Sequence, residues 1–93
     1  MEEGKRAIIT VLGHDKVGII ARISKVLAEN NINILDISQT ILQGFFTMTM
    51  VADISVGVID VAALRNLLND EGERLELQIS VQHEDIFKFM HRI

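Results

Sequence analysis

The hydrophobic period of this chain switches back and forth, and the order of the switches restricts what it can fold into. Residues 6 to 12, RAIITVL, are β-branched and apolar at nearly every position, which predicts a central strand buried on both faces. From Gly18 to about Asn30 the period becomes helical: Ile19, Ile20, Ile23, Val26 and Leu27 share a face, and Arg22, Lys25 and Glu29 point away from it. Asn30 and Asn31 suit the left-handed backbone that ends a helix. Residues 33 to 42 alternate, with Leu35, Ile37 and Ile41 on one face and Asp36, Ser38 and Thr40 on the other. Gln43-Gly44 predicts a tight turn into a third strand, whose Phe46, Met48, Met50 and Ala52 lie on one side.

After a loop around Ser55 to Gly57, Val61, Leu64, Leu67 and Leu68 form a second amphipathic stripe, with Gly72 expected to stop it. LELQISVQ, residues 75 to 82, is the cleanest alternation, with Leu75, Leu77, Ile79 and Val81 facing in. The tail, residues 83 to 93, is expected to form a short C-terminal helix offering Ile86, Phe87, Phe89 and Met90 for packing. The predicted order is βαββαβ, an α+β, ferredoxin-like arrangement: a four-stranded antiparallel sheet with two helices on one face. Strands one and three are expected at its centre and two and four at its edges. Residues 1 to 93 are read as a single domain, with a core over 5–82.

A chain of 93 residues buries only about two-thirds of the surface its unfolded form exposes, so it needs an efficient core or a partner. Its hydrophobic fraction of 48% includes only four aromatic residues, all Phe, and that aliphatic excess leans towards a homodimer. A net charge of −4, with nine basic residues scattered along the chain, argues against nucleic acid as a partner. RNA binding on such a sheet would also need aromatics on the first strand, which has none. The absence of cysteine excludes a disulfide scaffold and a thiolate site. No stretch reaches the roughly 20 apolar residues of a membrane span, and MEEGKR does not read as a signal peptide, so a cytoplasmic location is expected.

Between the first strand and the first helix lies GHDKVG, residues 13 to 18, richer in donors and charges than a connection needs. Free amides at a helix start favour a carboxylate or phosphate. Gly13 and Gly18 would let the backbone approach such a ligand, and His14, Asp15 and Lys16 would add side-chain contacts. The alternative is purely structural: glycines are common in such turns, and Asp15 or a neighbour would serve as a helix cap. NNIN, residues 30 to 33, offers donors and acceptors for an ammonium or carboxylate, or simply ends the helix. His14, His83 and His91 show no metal-ligand spacing, no serine sits in a nucleophile setting, and no cofactor is called for.

The run GHDKVGIIARISKVLAENNINILDIS resembles the opening half of an ACT domain, a small regulatory module that binds amino acids. The likeness is carried by Asp15, Gly18 and Ile19, by the helix to Glu29, and by Asn33-Ile34 with Ile37, and it extends in topology over roughly residues 5 to 82. Small single-domain ACT proteins related to the regulator of glycine cleavage are the most similar. The resemblance implies a side-by-side homodimer that binds a small effector where the first loop of one subunit meets the second strand of the other. Gly13, His14, Asp15, Lys16, Gly18 and Ile19 would hold one end of the effector, and Asn31 and Asn33 the other. ACT domains usually regulate an attached enzyme or DNA-binding domain; here the output would go to a separate protein. Two alternatives stand beside this: an assembly module without a small ligand, and an acylphosphatase-like enzyme. The second of these shares the layout but would rest on Gly18 and Arg22 alone.

Overall fold

The computed structural model describes residues 5–14 and 17–84. Strand β1 (Arg6–His14) is followed by helix α1 (Ile19–Glu29), the hairpin β2 (Asn33–Leu42) and β3 (Phe45–Asp53), helix α2 (Val61–Leu75) and strand β4 (Leu77–His83). The four strands form one sheet in the order β2-β3-β1-β4 with every neighbour antiparallel. This is the ferredoxin-like arrangement, with β1 and β3 central as expected. The predicted C-terminal helix lies outside the described residues.

Alternation and helical spacing meet in one core. Ala7, Ile9 and Val11 of β1, Phe46, Met48, Met50 and Ala52 of β3, and Leu77 and Val81 of β4 project from the same side of the sheet and are buried. Ile19, Ile23 and Leu27 of α1, with Leu64 and Leu68 of α2, cover them at four-residue intervals. The β2–β3 turn places Gln43 at φ 52° and Gly44 at φ 84°, the doubly left-handed turn that fits the twist of a two-residue hairpin.

Two expectations are corrected. First, β1 is central but not buried on both faces: Ile8 and Thr10 are half-buried and Leu12 is 45% exposed, because both helices lie on the other side of the sheet. Second, Gly72 does not stop α2, which runs to Leu75, so Leu75 belongs to the helix rather than to β4. Gly72 is buried where the helix crosses β4, and a Cβ there would lie 2.9 Å from the Leu77 carbonyl oxygen. The reversal is made instead by Glu76 in the left-handed region at φ 60°, its N–H donating back to the Glu73 and Gly72 carbonyls. A glycine chosen for close approach looks the same in sequence as a glycine that ends a helix.

Candidate functional site

Gly13 pairs with Phe46 on one side and Leu77 on the other, at the end of β1. A Cβ at Gly13 would sit 2.5 Å from the Leu77 Cδ2, the end of a flexible side chain that would have to shift to admit it. His14 stacks on Phe45 across the strands, with ring centroids 5.0 Å apart and planes inclined by 25°. Asp15 and Lys16 lie outside the described residues. Gly18 caps α1 in the left-handed region at φ 90°, its carbonyl accepting from the Arg22 N–H at 3.0 Å. No side chain caps this helix, and no acidic residue occupies its first turn. The amides of the first turn and the positive end of the helix dipole are therefore left without an anionic neighbour on the helix itself.

Beside this helix start is an open groove of about 350 Å³. Gly18, Ile19, Ile20 and Ala21 form one wall, and Gln39 and Ile41 of β2 with Phe46 of β3 form the other. Its described lining is apolar apart from the Gln39 amide. Sequence reasoning missed Gln39. The signal was present: Gln39 is opposite Met48 as Ile37 is opposite Met50 and Ile41 opposite Phe46, so it lies on the helix side of the sheet in an otherwise apolar row.

A larger groove, about 440 Å³, lies at the other end of the sheet between Lys5, Ile54, Ile59, Asp60 and His83. There the helix start is already satisfied: the Asp60 carboxylate accepts from the Ala63 N–H at 2.9 Å and caps α2. Ser55, also in its wall, donates through both its N–H (2.9 Å) and its hydroxyl (2.6 Å) to Asp53. These bonds, more than the nearby Arg6, hold the Asp53 carboxyl below its ordinary pKa.

The expected asparagine half of the site is at the far end of α1. Asn31 turns the chain at φ 62° and donates its amide to the Val56 carbonyl at 3.3 Å. Asn30 donates to the Val26 carbonyl at 2.8 Å and accepts from the Val58 N–H. Asn33 is exposed at the start of β2, opposite Asp53. The 11 residues of α1 separate the two halves by about 16 Å, so one chain does not bring them together.

β2 itself is an edge strand of ten residues, exposed at nearly every position. Leu35, at a bulge between Ile34 and Asp36, and Ile37 and Ile41 are 42–56% exposed. The arginine on which an acylphosphatase-like site would depend is otherwise engaged: the Arg22 Nε meets Glu71 of α2 at 3.4 Å. Among the described residues, no group of three or more histidine, aspartate or glutamate side chains converges to hold a metal, and no helix is long and apolar enough to cross a membrane.

The βαββαβ order, the uncapped helix start and the open β2 edge together define a small ferredoxin-like module. The family model of the ACT domain matches residues 5–82, and the chain belongs to the ACT domain family. A UPF0237 protein of Methanocaldococcus jannaschii is 58% identical over 88 residues, covering 95% of this chain and 98% of that protein. An ACT domain protein from Streptococcus pneumoniae, of known structure, is 44% identical and superposes with a TM-score of 0.79 over 91% of this chain and 96% of its own. A putative glycine cleavage system transcriptional repressor shares the fold, with a TM-score of 0.73 at 19% identity, over 88% of this chain and 47% of its own. ACT domains are typically small-molecule-binding regulatory modules.

Proposed function

We propose that this ACT domain, a single unit over residues 1–93, is a non-catalytic cytoplasmic regulator. It acts in trans as a homodimer that binds an amino acid or similar small effector. The observation that carries the reading is the bare β2 edge running alongside the groove at the start of α1. Antiparallel pairing of β2 with its copy sets the beginning of one strand beside the end of the other. Asn31 and Asn33 of one subunit then approach the Gly18–Ile19 groove of its partner, joining halves that a single chain holds apart. Loop and helix amides around Gly13, His14, Asp15, Lys16, Gly18 and Ile19 meet the effector's carboxylate, and the asparagine amides meet its polar or ammonium group. Gln39 joins them from the groove wall. Binding regulates a separate protein to the extent that the effector prefers one state of the dimer.

The test is a thermal-shift screen of the twenty amino acids. A ligand at about 100 times its dissociation constant stabilises by about 2.7 kcal/mol, several degrees in a domain of this size. A shift with one or a few amino acids that is lost in Asn33→Ala and Gln39→Ala, both exposed positions, is the expected result. Gly13→Ala is a weaker probe, because its Cβ displaces the Leu77 Cδ2 whether or not a ligand binds. The exposed Ile37 and Ile41 favour a second reading, an assembly module whose only ligand is protein. A dimer that responds to no amino acid would select it.

A further inference from the structure

The chain leaves the sheet at a fixed corner. Glu84 follows β4 in a turn, where its N–H donates to the Arg6 carbonyl at 3.0 Å and its carboxylate meets the Arg6 Nε at 3.1 Å. Arg6 and Asp53 are opposite each other on the side of the sheet turned away from the helices. The next row on that side runs from β4 to β2 through Gln82, Ile8, Val51 and Asp36. Ile8 and Val51 are half-buried there, and Leu12, two rows further, is 45% exposed. Both described helices lie on the opposite side, so no described element covers these residues. The sequence continues with DIFKFMHRI, residues 85 to 93. In it Ile86, Phe89, Met90 and Ile93 recur at i, i+3, i+4 and i+7, the spacing of one apolar helix stripe, and Lys88, His91 and Arg92 fall off that stripe.

We propose that this C-terminal segment turns back from Glu84 as a helix and lays its apolar stripe on Ile8 and Val51 of its own chain, closing the open side of the sheet with a second layer. Reach supports this occupant. Nine helical residues extend about 13 Å. The outer strands of a four-stranded sheet lie about 14 Å apart, so a segment that starts at β4 crosses β1 and β3.

Charge supports it as well. Asp36 and Asp53 lie on this side, and the segment brings Lys88 and Arg92 with only one acid, Asp85. Asp36 accepts from the neighbouring Ile37 N–H at 2.9 Å, and among the described residues no cation pairs with it. A second copy of the sheet would instead set the same carboxylates against each other. The groove between Ile54 and Ile59, at the same end of the sheet, is a poorer seat: it carries Lys5, and its Asp60 is engaged as a helix cap. Tethering adds to both arguments. With Glu84 held on β1, docking closes only a short loop within one molecule. The β2 edge stays free, so this inference is independent of dimer pairing and of effector binding.

NOE spectroscopy of the labelled full chain, with isotope filtering on a sample that mixes labelled and unlabelled copies, tests it. The expected result is contact from the Phe89 ring to the Ile8 and Val51 methyls within one chain. In Phe89→Ser those methyl signals lose their ring-current shift while the rest of the sheet spectrum is kept. Contacts that join only labelled to unlabelled chains would make the segment of a second copy the occupant and overturn the proposal. Phe89 contacts to Ile54 and Ile59 would seat the segment in the groove and also overturn it. So would Ile8 and Val51 methyls that show no contact to Phe89 or Met90 and do not move in Phe89→Ser.

Discussion

The two edges of this sheet are treated in opposite ways. β4 is seven residues long, and helix α2 packs along it closely enough to require Gly72. The Arg65 guanidinium reaches over its rim to hold the Val81 carbonyl with two bonds, 3.1 Å from Nε and 2.8 Å from Nη2. β2 is ten residues long, and its side chains stand exposed with four large aliphatics, Leu35, Ile37, Ile41 and Leu42, among them. A free strand edge is a template for another chain, and folds commonly blunt it with a charge, a bulge or a cover. Here the chain closes one edge from within and leaves the other available, apart from a bulge near the start of β2. The difference marks β2 as the side on which a second copy would add.

Four changes would break or sharpen that contrast. The largest effect is expected at the closed edge: Gly72→Ala pushes a methyl group against the Leu77 carbonyl, and urea unfolding should show a loss of about 1–3 kcal/mol. Arg65→Met keeps the aliphatic stem but frees the Val81 carbonyl. A loss of about 1–2 kcal/mol is expected in the same assay, with new concentration-dependent association as β4 becomes a second open edge. Ile41→Lys should behave in the reverse sense. The unfolding free energy of the isolated chain should stay within about 0.5 kcal/mol of wild type, while sedimentation shows the dimer lost. An unchanged mass would mean that β2 is not the pairing edge.

The smallest effect concerns pH at the end of β3. The folded Asp53 carboxyl has a lowered pKa, so its contribution to stability is present above the ordinary carboxylate range and is lost as pH falls through its folded value. Ser55→Ala removes the hydroxyl bond, the largest cause, and should raise the Asp53 pKa and weaken the acid dependence of unfolding. An Asp53 NMR titration that does not move in this variant would refute the assignment.

Much of this contrast was legible in the sequence. The alternation of β3 identified its four inward residues, Gln43-Gly44 marked the hairpin, and the element order placed β2 and β4 outside. Of the candidate site, the first loop and Asn33 were picked out as chemistry-bearing, but not the way they are distributed. Gln39 was passed over because a polar residue in an alternating strand reads as solvent-facing. Alternation already sets it beside Ile37 and Ile41, and its register against Met48 puts that row on the helix side. Gly13 was read as making room for a ligand; the fold adds that it also lies against Leu77, a residue far along the chain.

The sequence by itself determined the periods, the caps and turns, and therefore the order of elements, because those depend on side chains within a few positions of one another. Tertiary structure decided the length of α2 beyond Gly72, the covering of only one face of β1, and the separation of the two polar clusters to opposite ends of α1. Each of those depends on which distant backbones come within a few ångströms, and a one-dimensional pattern does not carry that distance.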